Sequence, residues 1–309
     1  MKYYFYKSYG LSIKSSINIP ELELTSREKG FDRDVDVSIK IDNIFYSHLK
    51  DDNHEIKGIT KVRNNANDID IFWNHKLLFN VKNGKEIIVN SNVDINPTFL
   101  RSLILGRAMG TLLHQRGFLV LHASAVNIDG SAVAFLGRRG NGKSTTTMAL
   151  INSNYPLVAD DVLAIKIEDN IALTIPSFPK IKLRQDIMES FTEKIDLDAQ
   201  IHPDIKKYYY AVKNFSYKPL PLKIIYILEK GNKSKISSLE TQEAIINLIR
   251  HSYCVSILEG DEQQENLKQC ANIIKSVHVK CLNTNHHMDK LNSLAKLIEK
   301  DINESTISD

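Results

Sequence analysis

Eight consecutive residues have the types and spacing of a phosphate-binding loop. Gly137 to Ser144 read Gly-Arg-Arg-Gly-Asn-Gly-Lys-Ser. Four residues separate the first glycine from the last, and Lys and Ser follow the last one directly, as the motif requires. Glycines let the backbone approach an anion closely, and amides of the loop and the following helix point at the phosphates. Lys143 can reach the β- and γ-phosphates, and the Ser144 hydroxyl can hold Mg²⁺. The residues expected to bind nucleotide are Gly137, Arg138, Arg139, Gly140, Asn141, Gly142, Lys143, Ser144 and Thr145.

The residues around the loop predict the strand and helix that such a site needs. An apolar run, Ser131 to Leu136, precedes the loop, and Thr145 to Asn152 has helical character. Upstream, a long strand is predicted over 118–128, and the turn dipeptide Asp129-Gly130 joins it to the run that enters the loop. A hairpin therefore delivers the chain into the loop, whereas nucleotide-binding folds usually use a parallel βαβ unit. We expect an α/β fold with a mixed sheet.

Two carboxylates follow the next short apolar strand. Asp160 and Asp161 end the segment that begins at Tyr155, and they come one helix after the loop. Ligands of α/β sheets gather at the carboxyl ends of strands, so we expect both side chains to face the phosphates. One of the two carboxylates can hold the metal, and the other can accept the proton of an attacking hydroxyl. The alternative is that both are simply solvent-exposed side chains at a strand-to-turn junction.

A histidine and an arginine are further candidates for the site. His122 lies in the strand before the hairpin, where it can donate a hydrogen bond to phosphate or tune a carboxylate. Arg184 follows a proline-containing loop and can stabilise charge on a transferring phosphoryl group. Each has a plainer alternative: a half-buried strand histidine, and a surface arginine in a salt bridge.

Composition excludes several classes of function. The chain has 309 residues, 42% of them hydrophobic, which is ordinary for a soluble globular protein. A net charge of +3 is too small to indicate nucleic acid. No apolar stretch approaches the ~20 residues of a membrane helix. The N-terminus has no long apolar region of a signal peptide. Three cysteines without CxxC spacing indicate neither a disulfide framework nor zinc, so we expect a cytoplasmic protein with no membrane partner.

Two domains are predicted. Residues 1–96 form a β-rich N-terminal module, because alternating or short apolar runs at 35–41, 69–73, 76–81 and 86–89 are separated by turn residues. Asn83-Gly84 predicts a hairpin between the last two runs. This module can bind a partner or cover the active site. Pro97 opens a helix, and residues 97–309 form the domain that contains the loop.

Three ordered motifs resemble the core of HPr kinase/phosphorylase. They are Leu121-His-Ala-Ser-Ala-Val126, Gly137 to Ser144, and Leu157-Val-Ala-Asp-Asp161. The resemblance implies an HPr-kinase-like P-loop core in which a hairpin of a mixed sheet enters the loop and the next strand ends in paired aspartates. It also implies that Asp161 is the proton acceptor and His122 the neighbouring active-site histidine.

Shorter segments resemble one branch of this family, the HPr-kinase-like proteins encoded with lasso-peptide biosynthesis. Members of that branch phosphorylate the C-terminal serine of the precursor peptide. The segments are Tyr9-Gly-Leu11, Pro20-Glu-Leu22, Gln115-Arg-Gly117, Pro179 and Leu183-Arg184.

The chain departs from the family pattern at two places. HPr kinase has a metal-binding glutamate two residues before an arginine, and here Lys182 stands two residues before Arg184. On that alignment the second metal ligand is missing, and Asp160 carries the metal. Arg138 and Arg139 occupy loop positions that are often small or acidic, so they add positive charge beside the phosphates.

Together these observations predict an ATP-dependent, Mg²⁺-requiring serine kinase, with ATP or another nucleoside triphosphate as donor. Its partner would be a precursor peptide or small protein with an acceptor serine, and the resemblance leaves room for a homo-oligomer. The alternatives are a bifunctional HPr-type kinase/phosphorylase, a nucleotide-binding sensor without transfer activity, and a small-molecule kinase.

Overall fold

The structure, a computed structural model, describes residues 2–25, 35–44, 58–65, 67–169, 171–190, 200–202, 205–284 and 291–306. The chain divides into two compact units, Met1–Phe118 and Leu119–Asp309. The helical segment after Pro97 groups with the first unit, whereas the boundary predicted between residues 96 and 97 precedes it. None of the helices in the described ranges is long and apolar enough to cross a membrane.

The described part of the first unit contains one seven-stranded sheet, in the order β1-β2-β3-β7-β6-β5-β4. The β-rich prediction is confirmed, and all four predicted runs are strands. Asn83 and Gly84 have φ values of 54° and 60°, as the predicted turn requires. The strands are β1 (Tyr4–Ser8), β2 (Leu11–Ser15), β3 (Val37–Asp42), β4 (Ile59–Asn65), β5 (Asp68–Trp73), β6 (Lys76–Lys82) and β7 (Glu86–Asn90).

A helical segment follows the sheet in the first unit. The side chain of Asn96 accepts hydrogen bonds from the amides of Thr98 and Phe99, and Pro97 occupies the first helical position. Helix α1 (Pro97–Leu103) passes through a π-helical stretch (Ile104–Ala108) into α2 (Met109–Gln115). The helix predicted from Pro97 is therefore confirmed, with a local widening in its middle.

The described part of the second unit contains a mixed nine-stranded sheet and a three-stranded sheet. The large sheet has the order β11-β9-β10-β17-β13-β12-β8, with β19 on β17 and β18 on β19, and the small sheet is β14-β16-β15. The strands are β8 (Leu119–Leu121), β9 (Ala123–Ile128), β10 (Ser131–Leu136), β11 (Leu157–Ala159), β12 (Leu163–Glu168), β13 (Ile171–Ile175), β14 (Lys180–Arg184), β15 (Gln200–His202), β16 (Ile205–Ala211), β17 (Leu220–Lys230), β18 (Lys235–Ser238) and β19 (His278–Thr284).

The expected mixed sheet is present, and the hairpin lies where we predicted it. Strand β10 pairs with β9 antiparallel and with β17 parallel. The long strand predicted over 118–128 is wrong in one respect, because it breaks at His122. Strand β8 pairs with β12, whereas β9 pairs with β10 and β11, and the amide of His122 donates to the carbonyl of His251 at 2.8 Å. The change of partners leaves the histidine at the break.

Helices cover both faces of the large sheet. One apolar cluster joins the sheet to α5 (Thr241–Arg250) and α6 (Asp261–Ile273), and another joins it to α3 (Lys143–Asn152) and α7 (Leu291–Thr306). A short helix, α4 (Gln185–Glu189), and a 3₁₀ turn (Val255–Ile257) complete the described helical residues of this unit. This layering leaves the carboxyl ends of β10 and β11 beside the first turn of α3.

A polar cluster fixes the C-terminal helix to the sheet. Asp301 of α7 accepts a hydrogen bond from the Tyr226 hydroxyl at 2.7 Å and binds the Lys280 ammonium at 2.8 Å. The side chains of Lys280 and Asp301 are only 17% and 18% exposed, so neither partner has full access to water. Removing the carboxylate would take away the acceptor of the buried Tyr226 hydroxyl and the ion-pair partner of the partly buried Lys280 ammonium.

We therefore expect Asp301→Ala to lower the free energy of unfolding by about 2–3 kcal/mol, because a charged and a phenolic donor both lose their acceptor. Urea denaturation followed by circular dichroism measures the change. Glu304→Ala, an exposed carboxylate one turn later, is the control and should change stability by less than about 0.5 kcal/mol. Equal stability of the two variants would contradict this account.

Candidate active site

The glycine loop connects β10 to α3. Gly137, Gly140 and Gly142 have φ values of 155°, 86° and 83°, a region that residues with a Cβ atom rarely adopt. Helix α3 then begins at Lys143, and the amide of Thr146 donates to the carbonyl of Gly142 at 2.8 Å. The local sequence folds this way because glycine stands at each position of positive φ.

The loop is also attached to the neighbouring strand β17. The side-chain amide of Asn141 donates to the carbonyl of Leu228 at 2.8 Å. A Cβ atom on Gly137 would lie 2.9 Å from that same carbonyl oxygen, closer than real Cβ atoms come. Gly137 and Asn141 therefore shape the loop against β17.

Lys143 lies against the start of the loop. Its ammonium donates to the carbonyl of Gly137 at 2.7 Å, and the residue is only 9% exposed. Burial lowers the pKa of this lysine, and the nearby carboxylates of Asp161 and Asp160 oppose the shift. The predicted phosphate-binding lysine and the predicted aspartates therefore act on one another electrostatically.

Asp160 is buried, and both of its carboxylate oxygens accept hydrogen bonds. The hydroxyl of Ser124 donates to one oxygen at 2.6 Å, and the backbone amide of Lys182 donates to the other at 2.8 Å. Asp160 directly follows β11 (Leu157–Ala159), and its side chain thereby connects the end of that strand to β9 and β14. The alternative of a solvated strand end does not apply to this side chain, since the residue is 6% exposed.

Asp161 has a positive φ of 71°, and its side chain is held by two cationic or polar partners. Nδ1 of His122 lies 3.0 Å from the backbone oxygen of Asp161 and 3.2 Å from its Oδ1, and the Lys182 ammonium lies 2.8 Å from its Oδ2. Burial alone would raise the pKa of this carboxyl. The Lys182 ammonium and the contact with His122 outweigh burial and hold the pKa well below its usual range. Asp161 is consequently ionised throughout the physiological range.

Lys182 is the main residue whose role sequence reasoning missed. Its side chain is 10% exposed, and burial alone would lower its pKa, but the Asp161 carboxylate raises it above the usual value. In the sequence this lysine stands out only as the residue that replaces the family's glutamate. Strand alternation offered a signal. Positions 182 and 184 of β14 point to the same face, and because Arg184 was predicted to be a site residue, Lys182 could have been expected on the same side.

Arg184 lies at the rim of the site with its guanidinium largely exposed. Its Nε and Nη2 donate to the two carboxylate oxygens of Asp186 at 3.0 and 2.9 Å. The structure thus gives this arginine the salt bridge that was the plainer alternative. Its expected contact with a transferring phosphoryl group stays a prediction.

One cavity of about 640 Å³ collects most of the predicted residues. Gly137, Arg138 and Asn141 do not line it, which agrees with the structural roles of Gly137 and Asn141. The predicted residues that do line it are His122, Arg139, Gly140, Gly142, Lys143, Ser144, Thr145, Asp160, Asp161 and Arg184.

The donor set of the cavity fits a magnesium ion that comes with a phosphate ligand. Each carboxylate oxygen of Asp160 accepts one hydrogen bond and keeps a lone pair, and the Ser144 hydroxyl lines the same cavity. No group of three or more His, Cys, Asp or Glu suited to a metal occurs in the described ranges. Mg²⁺ in phosphoryl-transfer sites typically uses one or two carboxylates, with phosphates and waters completing its shell.

A second histidine borders the site and was not predicted. His251 follows α5, and its carbonyl accepts the amide of His122. Burial lowers the pKa of His251 to about 4, and the neighbouring Lys143, His122 and Arg138 add to the shift. No motif in the sequence marks this residue, because its position depends on how α5 packs on the sheet.

Comparison with known proteins adds one similarity. The structure of the HPr(Ser) kinase/phosphatase from Coxiella burnetii matches with 17% identity and a TM-score of 0.31, over 61% of this chain and 97% of that one. No family model matches the chain, and no curated protein sequence does. A similarity at this level does not define a function, which has to be inferred from the site itself.

The contact between Gly137 and Leu228 predicts unequal effects of alanine at two loop glycines. Gly137→Ala should lower the free energy of unfolding by about 3–5 kcal/mol, because strain at positive φ adds to a collision with a backbone carbonyl. Gly140→Ala, at a φ of 86° with open space around it, should cost only about 1–2 kcal/mol. Urea denaturation measures both, and a larger cost at Gly140 would refute the assigned contact.

The pKa of His251 predicts an acid-sensitive step in stability. The His251 ring binds a proton near pH 6.5 in the unfolded chain and near pH 4 in the folded protein. The free energy of unfolding therefore falls as the pH drops from 6.5 to about 4. His251→Gln should flatten the curve of unfolding free energy against pH between 6.5 and 4. Nuclear magnetic resonance of the ring protons locates the titration directly. A ring that titrates near 6.5 in the folded protein would exclude the assigned environment.

Proposed function

We propose that this chain is a serine kinase that transfers the γ-phosphoryl group of ATP, or of another nucleoside triphosphate, to a serine hydroxyl. One observation carries the proposal: the loop lysine Lys143 and the paired carboxylates of Asp160 and Asp161 line the same cavity. Its volume of about 640 Å³ is in the usual range for small-molecule sites. This is the convergence that phosphoryl transfer needs, because positioning and charge stabilisation supply most of its catalysis.

The loop and the start of α3 would bind the phosphates. Backbone amides around Gly140 and Gly142 are available at the helix N-terminus, where partial positive charge favours anions. Lys143 would move from the carbonyl of Gly137 to phosphate oxygens, a stronger partner for an ammonium. Ser144 and Asp160 would hold Mg²⁺, which neutralises phosphate charge when bound.

Asp161 would receive the acceptor serine. Its carboxylate is ionised and oriented by Lys182 and His122, so it can accept a hydrogen bond from the hydroxyl. The low pKa makes it a weak base, which suits a loose transition state in which the nucleophile needs little activation. His122 would keep the Asp161 side chain oriented while it accepts the proton.

For the acceptor, we propose the C-terminal serine of a lasso-peptide precursor in the cytoplasm. The support is the sequence resemblance to that branch of kinases, together with an excess of positive charge in the cavity wall. Lys206 and Lys207 of β16 line the cavity together with the Arg184–Asp186 ion pair and Glu189, and this excess can attract an anionic peptide terminus.

A second candidate is a nucleotide sensor without transfer activity. The observation in its favour is the Lys182 ammonium on Asp161, which lowers the basicity of the proposed acceptor. A sensor would bind nucleotide and gain thermal stability in proportion to ligand, but would label no serine peptide.

We expect Lys143→Ala to weaken ATP binding and abolish transfer, because the phosphates lose their main cation. Asp161→Asn should keep ATP binding and slow transfer about 10²- to 10⁴-fold, since the hydroxyl loses its proton acceptor. Calorimetry measures binding, and mass spectrometry of a synthetic peptide ending in serine measures transfer. Asp169→Asn, in the exposed turn after β12, is the matched control and should behave as wild type.

Three outcomes separate the candidates. Full activity of Asp161→Asn would refute its role as acceptor. Tight ATP binding by the wild type with no labelled peptide would favour the sensor. Loss of phosphate from a phosphorylated peptide in excess inorganic phosphate would favour a bifunctional kinase/phosphorylase.

A further inference from the structure

Lys182 places an ammonium group in the wall of the cavity, and the proposed reaction so far uses it only to orient Asp161. Its Nζ lies 2.8 Å from Oδ2 of Asp161, and its backbone amide donates to Asp160 at 2.8 Å. Both ends of the residue are therefore attached to the paired carboxylates. Lysine is seldom buried without such partners, so this position is specified by the site.

The strand and the ring beside it hold the lysine side chain in place. Lys182 is paired with Tyr209 in the β14–β16 ladder, and its Nζ lies 5.5 Å from the centre of the Tyr209 ring. A cation at that distance is attracted by the face of the ring. With Asp161 at its tip and the ring beside it, the ammonium is preorganised, and its position costs little entropy when a ligand arrives.

The ammonium keeps donor capacity toward the cavity. It has three N–H groups, of which Asp161 takes one, and Lys182 lines the same cavity as Lys143 and Ser144. An anion placed on the glycine loop would thus meet two ammonium groups: Lys143 at the start of α3 and Lys182 on β14.

Charge balance indicates which part of the ligand Lys182 serves. Lys182 is the cation in direct contact with Asp161, at 2.8 Å from its Oδ2, and Lys207 also lowers the pKa of that carboxyl. Without Lys182, a triphosphate would meet the Asp161 carboxylate with less positive charge to oppose it, at an electrostatic cost. That cost falls on the phosphate nearest to Asp161, which in the proposed function is the transferred one, because Asp161 receives the attacking hydroxyl.

We propose that Lys182 is a specificity-determining catalytic residue that contacts the terminal phosphate and makes the site prefer nucleoside triphosphates to diphosphates. This inference rests on the proposed nucleotide site. During transfer the bond from the γ-phosphorus to the bridging oxygen breaks, a bond to the serine oxygen forms, and the serine proton passes to Asp161. Lys182 stays protonated throughout and stabilises the equatorial oxygens.

Calorimetric titration with ADP and with a non-hydrolysable β,γ-imido analogue of ATP tests the inference without needing an acceptor. Lys182→Met should weaken binding of the triphosphate about 10- to 100-fold, the value of a charge-assisted hydrogen bond, and binding of ADP by less than about 3-fold. Lys182→Arg keeps the charge and should retain most of the preference.

Lys280→Met is the matched control, because Lys280 forms an ion pair of the same length, 2.8 Å, outside the cavity. It should lower thermal stability and leave the ratio of triphosphate to ADP affinity unchanged. Lys182→Met removes the ammonium from Asp161 and leaves that carboxylate its contact with His122. The double variant Asp161→Asn/Lys182→Met, compared with Asp161→Asn alone, therefore gives the same measurement without a carboxylate that has lost its ion pair.

Two results would overturn the inference. If Lys182→Met weakens the binding of ADP and of the triphosphate analogue by the same factor, or weakens neither, the lysine does not contact the terminal phosphate. The proposed nucleotide site would still stand. If the wild type binds neither nucleotide, the proposed function fails and the inference fails with it.

Discussion

The organisation of the site depends on one interaction, the ion pair between Asp161 and Lys182. The two groups lie 2.8 Å apart, with the lysine side chain 10% and the aspartate side chain 25% exposed, and the pair connects the end of β11 to the middle of β14. Its neighbour Asp160 repeats the connection through the amide of Lys182 and extends it to Ser124 of β9. Strands of two different sheets are thus joined by adjacent carboxylates, and loss of either would leave a buried donor unpaired.

The glycine loop complements this network from the other side of the cavity. Its shape is determined by backbone conformations that need glycine and by the carbonyl of Leu228 on β17, to which Asn141 is bonded. Lys143 connects the loop with the carboxylates. Its ammonium donates to the carbonyl of Gly137, and the charges of Asp160 and Asp161 raise its pKa against the effect of burial. The loop and the carboxylate network are therefore two walls of one cavity, and the phosphates of a ligand would fill the space between them.

Local features of this site were predictable from sequence, and features made by distant pairing were not. The loop, the hairpin and the position of Asp160 and Asp161 follow from short-range patterns. The break at His122 arises because the two halves of the strand pair with different partners, a non-local choice. Lys182 reaches Asp161 only through the packing of a second sheet, so its spacing in the sequence predicts no contact. Helix packing likewise determines where His251 lies, and no local pattern encodes that.

The ion pair has a cost as well as a use in the proposed reaction. By holding the pKa of Asp161 low, Lys182 weakens the carboxylate as a base. In a loose transition state the serine oxygen gains little bond order before the leaving group departs, so basicity matters less than the charge around the phosphoryl oxygens. A fixed ammonium at that point stabilises those oxygens without reorganisation. The same contact that makes Asp161 a poor base therefore makes the cavity a better site for phosphoryl transfer.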